Sequence, residues 1–134
     1  LASGSIDDYR YLSVRDHGLP LIRQVVEGAL AAQSLDAVVY PTASKRPDLI
    51  AAPPETPGGG SASGSNIANL TGFPDLIVPA GFTSEGLPVG ISFLGPAFSE
   101  GKLFGLGYSF EQATRARRRP VHTPALAGKS IPPR

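Results

Sequence analysis

The chain has 134 residues, about the length of one domain, and 41% of them are hydrophobic while 17% are charged, a balance typical of a folded chain rather than a disordered one. A net charge of +1 favours neither nucleic acid nor an acidic membrane surface as a partner, and no apolar run approaches the roughly 18 residues of a membrane-spanning helix. With no cysteine and two histidines, the sequence also disfavours thiolate and histidine metal sites.

The first half of the chain predicts a helix followed by a strand. Residues 1–17 mix charged and aromatic side chains and could be the tail of a longer helix. In residues 19–32, apolar side chains recur at three- and four-residue steps, which predicts a surface helix with one buried face. Residues 35–40 form a short run with β-branched side chains that ends at Pro41. This run predicts a strand fully buried in a sheet.

The second half predicts a loop, a hairpin and a helix. Residues 41–65 are rich in proline, glycine and serine without periodicity, which indicates a long loop that is either functional or disordered. Its position between two predicted core strands favours a function. Apolar runs at 76–78 and 89–94 flank a Ser-Glu-Gly turn and predict a β-hairpin. Residues 99–117 predict a helix with Ser99 as its cap and arginines at its end, and residues 121–134 a proline-rich tail.

Four short motifs and the last helix occur in a distinctive order. They are DAVVYPT at 36–42, NLTGFP at 69–74, VPAGF at 78–82 and GLPVG at 86–90, followed by the helix beginning at Ser99. Together they resemble the carboxy-terminal part of the amidase signature family over residues 19–120. The resemblance implies an α/β/α fold with a mixed β-sheet flanked by helices, and residues 1–134 as the carboxy-terminal segment of a single amidase domain.

The resemblance also implies a chemistry and where it lies. Family members hydrolyse carboxamides by acyl transfer through a serine nucleophile, a second serine in a cis peptide and a lysine, without metal or cofactor. All three groups lie in the amino-terminal half of the family, so we expect no catalytic residue here and no activity from these residues alone. A chain that starts at Leu1 and contains no methionine also suggests a fragment or a processed product.

Several other residues resemble catalytic or binding groups but fit less well. The Gly- and Ser-rich run 58–65 lies after Pro41-Thr42, whereas the family's nucleophile precedes that motif. It also lacks the lysine of a phosphate-binding loop and the spacing of a nucleophile elbow. Lys45, His17 and His122 have polar or proline-rich neighbours and are interpreted as surface groups. The arginines of residues 115–119 are typical of a solvated helix end rather than a nucleic-acid site.

The resemblance points to one wall of a substrate pocket just before the NLTGFP motif. The positions that face the substrate in the family include Ala62 and Asn66 here, where Ala62 leaves room and Asn66 can offer a donor and an acceptor to an amide. A hydrogen bond within the loop is the alternative for Asn66. Family members that act on transfer-RNA-linked glutamate carry an acidic residue near Ala62. This chain has none between Glu55 and Asp75, which favours a general amidase.

Three functional hypotheses follow. The first is part of an amidase for which this segment supplies scaffold and a pocket wall; the others are a non-catalytic amidase-like binding or assembly module and an amidotransferase subunit. The expected partners are a small-molecule amide and the amino-terminal part of the same protein, with no nucleic acid and no membrane. Homo-oligomerisation is left open, and so is localisation, with the cytoplasm favoured.

Overall fold

The computed structural model describes residues 4–43 and 66–119. Their elements follow one another as helix α1 (Tyr9–Ser13), a π-helical turn (Val14–Gly18), α2 (Leu19–Ala32), β1 (Val38–Pro41), α3 (Asn66–Thr71), β2 (Asp75–Phe82), β3 (Pro88–Leu94) and α4 (Glu100–Thr114). The three strands form one antiparallel sheet in the order β1-β3-β2.

A continuous helical run precedes the sheet. Helix α1, capped by the Asp8 side chain on the Arg10 N–H, passes through the π turn directly into α2. At the junction the Leu19 N–H donates to the Val14 carbonyl, five residues back. Pro20 follows and has no N–H to offer the carbonyl four residues before it, so the α-helical ladder is interrupted at this point. The helix predicted for residues 19–32 is confirmed, and residues 9–18 extend it towards the amino terminus.

The apolar face of α2 is only partly covered by the described residues. Of the predicted face, Leu30 is buried and Leu19, Ile22 and Val26 are partly buried, whereas Val25 is largely exposed. The described partner of α2 in the rest of the fold is the short helix α3, for which no helix was predicted. Among the described residues, the predicted face is therefore partly buried along α2 and fully buried only at its carboxy-terminal end.

Strand β3 occupies the centre of the sheet, and β1 lies at an edge. Tyr40 pairs with Ser92 and Pro41 with Ile91 on one side of β3. Because β1 has one strand neighbour among the described residues and little else over it, Val39 is 50% exposed. The prediction of a fully buried strand at residues 35–40 is thus wrong for the described residues, and the strand begins three residues later than predicted.

The hairpin of β2 and β3 is confirmed, with a longer first strand than predicted. Proline and glycine at 79 and 81 do not end β2, because a bulge at Ala80 shifts the register and the strand resumes by pairing Gly81 with Val89. The reversal follows the predicted Ser-Glu-Gly sequence. Gly86, at φ +82, donates its N–H to the Thr83 carbonyl, a backbone angle that glycine adopts without a steric penalty.

Helix α4 packs on one face of this sheet, which we call the helix face. Val78, Phe93 and Leu103 form its buried core, and Phe110 meets the ring of Phe93 edge-on with 5.9 Å between centroids. Gly107 lies directly against β2: a Cβ added there would come within 2.5 Å of Leu76 Cδ2. The absence of a side chain at this position lets the helix approach the sheet closely.

The ends of α4 differ from the prediction. Ser99 occupies the N-cap position, but its hydroxyl makes no capping hydrogen bond and is buried without a partner among the described residues. The helix ends at Thr114, with Arg115 in the left-handed conformation at φ +46, so the arginines lie beyond the last turn. One of them, Arg118, stacks 4.9 Å from the ring centre of Phe82.

Within the described residues, no helix combines the length and apolar character required to cross a membrane. Of the loop predicted at residues 41–65, Pro41 belongs to β1 and residues 44–65 lie outside the described residues, as does the predicted tail at 121–134.

The close approach of α4 to β2 predicts opposite effects for two glycine substitutions in one helix. Gly105→Ala meets open space and should raise the free energy of unfolding by roughly 0.5 to 1 kcal/mol through helix propensity. Gly107→Ala should lose that gain and destabilise by about 1 kcal/mol or more, because the methyl group overpacks against Leu76. Chemical unfolding of both variants of the purified protein measures the difference; equal stabilities would contradict the packing.

Candidate functional site

The polar side chains of the sheet gather on the face opposite α4, which we call the polar face. Residues that pair across a ladder point to the same side of the sheet. Tyr40, Ser92 and Ile77 therefore share one row, and Asp75 shares the next row with Leu94. Thr42 follows β1 and bonds through its N–H to the carbonyl of Gly90. Tyr40, Thr42, Asp75 and Ser92 thus make up one cluster.

A hydrogen bond across the central strand joins the two outer strands. The Tyr40 hydroxyl donates to Asp75 Oδ2 at 2.8 Å, although β3 lies between the strands that carry the two residues. The tyrosine side chain must therefore extend over β3. It contacts Ser92, which is 0% exposed on a face that α4 does not cover, and Leu94 on the same face is 1% exposed. Ile77, which pairs with Ser92 on the side of β3 away from Tyr40, remains 52% exposed.

The environment of Tyr40 keeps its phenol neutral. Burial, followed by the hydrogen bond to Asp75 and the charge of that carboxylate, raises the pKa of Tyr40 to about 12. The contact with Ser92 acts in the opposite direction. At neutral pH the tyrosine is therefore a hydrogen-bond donor and not a base.

The hydroxyl groups of Thr42 and Ser92 lie 2.9 Å apart, oxygen to oxygen. Gly90 makes room for this pair, because a Cβ on it would lie 3.0 Å from Thr42 Oγ1. A serine becomes nucleophilic when an adjacent base removes its proton, and neither the Thr42 hydroxyl nor the neutral Tyr40 phenol is such a base. The cluster can therefore bind and orient polar groups, but these contacts do not activate Ser92.

Asp75 has capacity that its described neighbours do not use. While Oδ2 accepts from Tyr40, Oδ1 is buried and has no hydrogen-bond partner among the described residues. A buried carboxylate oxygen without a donor is costly, so this atom is the natural acceptor for an N–H or O–H group from elsewhere in the protein. The polar face thus offers a binding point as well as a structural bond.

The two residues predicted to face a substrate remain untested. Ala62 lies outside the described residues, and Asn66 is the first residue of α3, with only its place in the helix described. Conversely, no role was predicted for the side chains of the cluster itself, which are Tyr40, Thr42, Asp75 and Ser92. A serine within the apolar run of β3 and an aspartate opening β2 were the available signals.

Among residues 4–43 and 66–119, no three His, Cys, Asp or Glu side chains lie close enough together to hold a metal ion. The expectation of a reaction without metal or cofactor stays a prediction.

The Tyr40–Asp75 bond predicts a loss of stability on removal of one hydroxyl. Tyr40→Phe should lower the free energy of unfolding by about 1 to 2 kcal/mol, because it leaves both carboxylate oxygens without a described donor. Tyr108→Phe, at a tyrosine that is 65% exposed, is the matched control and should cost close to nothing. Similar stabilities of the two variants would count against the bond.

The raised pKa of Tyr40 also predicts how its contribution varies with pH. An unfolded tyrosine ionises near pH 10. Because the folded pKa lies above that value, the contribution is complete below about pH 10 and is lost as the pH rises towards 12. Alkaline titration of tyrosine absorbance should therefore show a component near pH 12 that is missing from Tyr40→Phe and retained in Tyr108→Phe.

Comparison with known proteins identifies the family. The family described as Amidase matches residues 1–104. A glutamyl-tRNA(Gln) amidotransferase subunit from Desulforudis audaxviator is 40% identical over 129 residues, which cover 92% of this chain and 25% of that protein. A probable amidase from Arabidopsis thaliana is 48% identical over 56 residues, 42% of this chain and 11% of that protein. The chain thus spans a quarter or less of these relatives.

Solved structures agree with the sequence match. The peptide amidase PAM, in complex with the inhibitor chymostatin, shares 35% identity with a TM-score of 0.65, over 87% of this chain and 23% of that one. An amidase family protein from Bacillus anthracis gives a TM-score of 0.63 at 25% identity, over 86% of this chain and 19% of that one. These likenesses confirm the predicted α/β fold class of the amidases. With the family match over most of its length, this chain belongs to the amidase family.

Proposed function

We propose that residues 1–134 form the carboxy-terminal segment of an enzyme that hydrolyses linear carboxamides. The observation that carries the proposal is the likeness to peptide amidase, which extends over 87% of this chain at 35% identity. Family membership supports amidase activity in general. We propose in addition the substrate class, and that the rest of the protein carries the catalytic groups while this segment supplies scaffold and a pocket wall.

In this proposal the reaction is acyl transfer to a serine nucleophile, assisted by a second serine in a cis peptide and by a lysine. None of the three lies in this chain, and the partners of Ser92 in the polar cluster agree, because they do not include a base. The segment then contributes scaffold through its sheet and α4. It also contributes one wall of the pocket, through Ala62 and Asn66, to a small amide substrate.

The second candidate is an amidotransferase subunit. The relative from Desulforudis audaxviator, which bears that name, matches 92% of this chain, more than the 42% matched by the probable amidase of Arabidopsis thaliana. Against it stands the absence of a carboxylate between Glu55 and Asp75. A non-catalytic assembly module is the third possibility, and the reading frame upstream of Leu1 separates it from the others. A Gly-Gly-Ser-Ser type segment preceded by a lysine supports an enzyme.

Ammonia release tests the assignment. The protein encoded by the full reading frame should hydrolyse simple carboxamides without a second substrate, whereas residues 1–134 alone should release none because the catalytic groups lie outside them. Hydrolysis by residues 1–134 alone would overturn the placement of the catalyst. Ammonia formation from glutamine only with an acceptor RNA present would favour the amidotransferase subunit instead.

The pocket wall predicts a size-dependent effect at Ala62. In the full protein, Ala62→Trp should lower kcat/KM for amides with bulky acyl groups by about tenfold or more, and much less for acetamide, because the indole narrows the acyl pocket. Ala113→Trp places the same side chain at an exposed position on α4 and is the control. An unchanged ratio of bulky to small substrates in Ala62→Trp would show that Ala62 does not line the pocket.

A further inference from the structure

An arginine of α2 hydrogen-bonds to the end of α3, against which α2 also packs. The Nε–H of Arg23, in α2, donates to the backbone carbonyl of Thr71 at 2.6 Å, across a separation of 48 residues. Thr71 is the last residue of α3, so this carbonyl is one of those that a helix end leaves without an internal partner. A positive charge at this end also complements the helix dipole. Arg23 therefore meets both the hydrogen-bonding and the electrostatic requirement of the end of α3.

The end of α3 is built to present that carbonyl in one orientation. Thr71 is fully buried, and its hydroxyl donates to the Ile67 carbonyl while accepting from the Phe73 N–H. Gly72 follows at φ +68, and its N–H donates to the Ala68 carbonyl. A Cβ at position 72 would lie 3.3 Å from Arg23 Nη2, so glycine there also lets the guanidinium approach.

Because it is short, α3 takes its position from tertiary contacts, and the Arg23 bond is one of them. A helix of six residues is not stable in water by itself and takes its place from tertiary contacts. Its described packing partner is α2, the helix that carries Arg23. Asn66, the first residue of α3, lies only about 8 Å along the helix axis from Thr71 at the standard rise per residue. A shift at the Thr71 end therefore moves Asn66 as well.

We propose that Arg23 is a positioning residue for the amide pocket. By holding the end of α3, its guanidinium fixes the place from which Asn66 meets the substrate. This inference rests on the proposed amidase function, in which Asn66 faces the substrate. It adds a residue from a different element, far earlier in the chain, to the determinants of substrate binding.

The test uses steady-state amide hydrolysis by the full protein. Arg23→Gln removes the charge and the guanidinium fork, and it should raise KM about fivefold while kcat stays within about twofold, since a misplaced binding group weakens ground state and transition state alike. Arg23→Lys keeps the charge and should recover part of the loss. Arg15→Gln, at an exposed arginine that pairs with the adjacent Asp16, is the matched control and should leave KM unchanged.

A double variant shows whether Arg23 acts through Asn66. When Asn66→Ala is already present, adding Arg23→Gln should raise KM by less than about twofold, because the residue being positioned has gone. Independent, multiplicative effects of the two substitutions would overturn the proposal, and so would a loss of stability in Arg23→Gln with KM unchanged. If Arg23→Gln does not fold, the KM values of Arg23→Lys, with and without Asn66→Ala, test the proposal in the same way.

Hydrogen exchange separates this inference from the proposed function. Backbone amides of residues 70–73 should exchange faster in Arg23→Gln than in the wild-type protein, and amides of β3 should not change. If the wild-type protein hydrolyses no carboxamide, the proposed function fails, and exchange still reports whether Arg23 holds α3. If the wild-type protein is active and neither KM nor exchange responds to Arg23→Gln, only the positioning role is wrong.

Discussion

The arrangement of the described residues depends on the central strand β3, which has one face in the apolar core beneath α4 and the other on the polar face. Alternate residues of a strand point to opposite faces of the sheet, so Phe93 enters the apolar core beneath α4 while Ser92 and Leu94 face the polar side. Ser92 and Leu94 are both buried on that second face, which α4 does not cover. The Tyr40 side chain passes over β3 there to reach Asp75 and contacts Ser92 on the way.

The Tyr40–Asp75 bond also connects β1 directly to β2, which share no backbone hydrogen bonds because β3 lies between them. Both strands are antiparallel to β3 and therefore run parallel to each other, with β3 between them. The chain leaves β1 at Pro41 and re-enters the sheet at Asp75, so Tyr40 and Asp75 stand close to the two ends of the connecting segment. Arg23, in α2, hydrogen-bonds to the end of α3, the helix just before β2. The contacts at the ends of this segment thus come from the adjoining residues Tyr40 and Asp75 and from Arg23, which lies far earlier in the chain.

Local patterns were enough to predict the elements that satisfy their own requirements. The period of α2, the apolar runs of the hairpin and its Ser-Glu-Gly turn all appear in the structure because neighbouring residues determine them. Other features depend on contacts between distant residues. Helix α3 is too short to show a period, β2 continues through Pro79 because a bulge absorbs the irregularity, and β1 is exposed because of its place in the strand order. The polar cluster joins distant residues, such as Thr42 and Ser92, which are 50 positions apart, and no local pattern shows this.

The π turn at Val14–Gly18 has a consequence for how the amino-terminal helical run can vary among related sequences. A π turn holds one residue more than an α-helical turn covering the same path, so everything before it is rotated about the axis by roughly 100° relative to an uninterrupted helix. Deleting one residue from this turn would not by itself restore a regular helix, because Pro20 would still lack its N–H and its ring would crowd the preceding turn. A related sequence with one regular helix in this region would therefore need both a shorter turn and a residue other than proline at position 20.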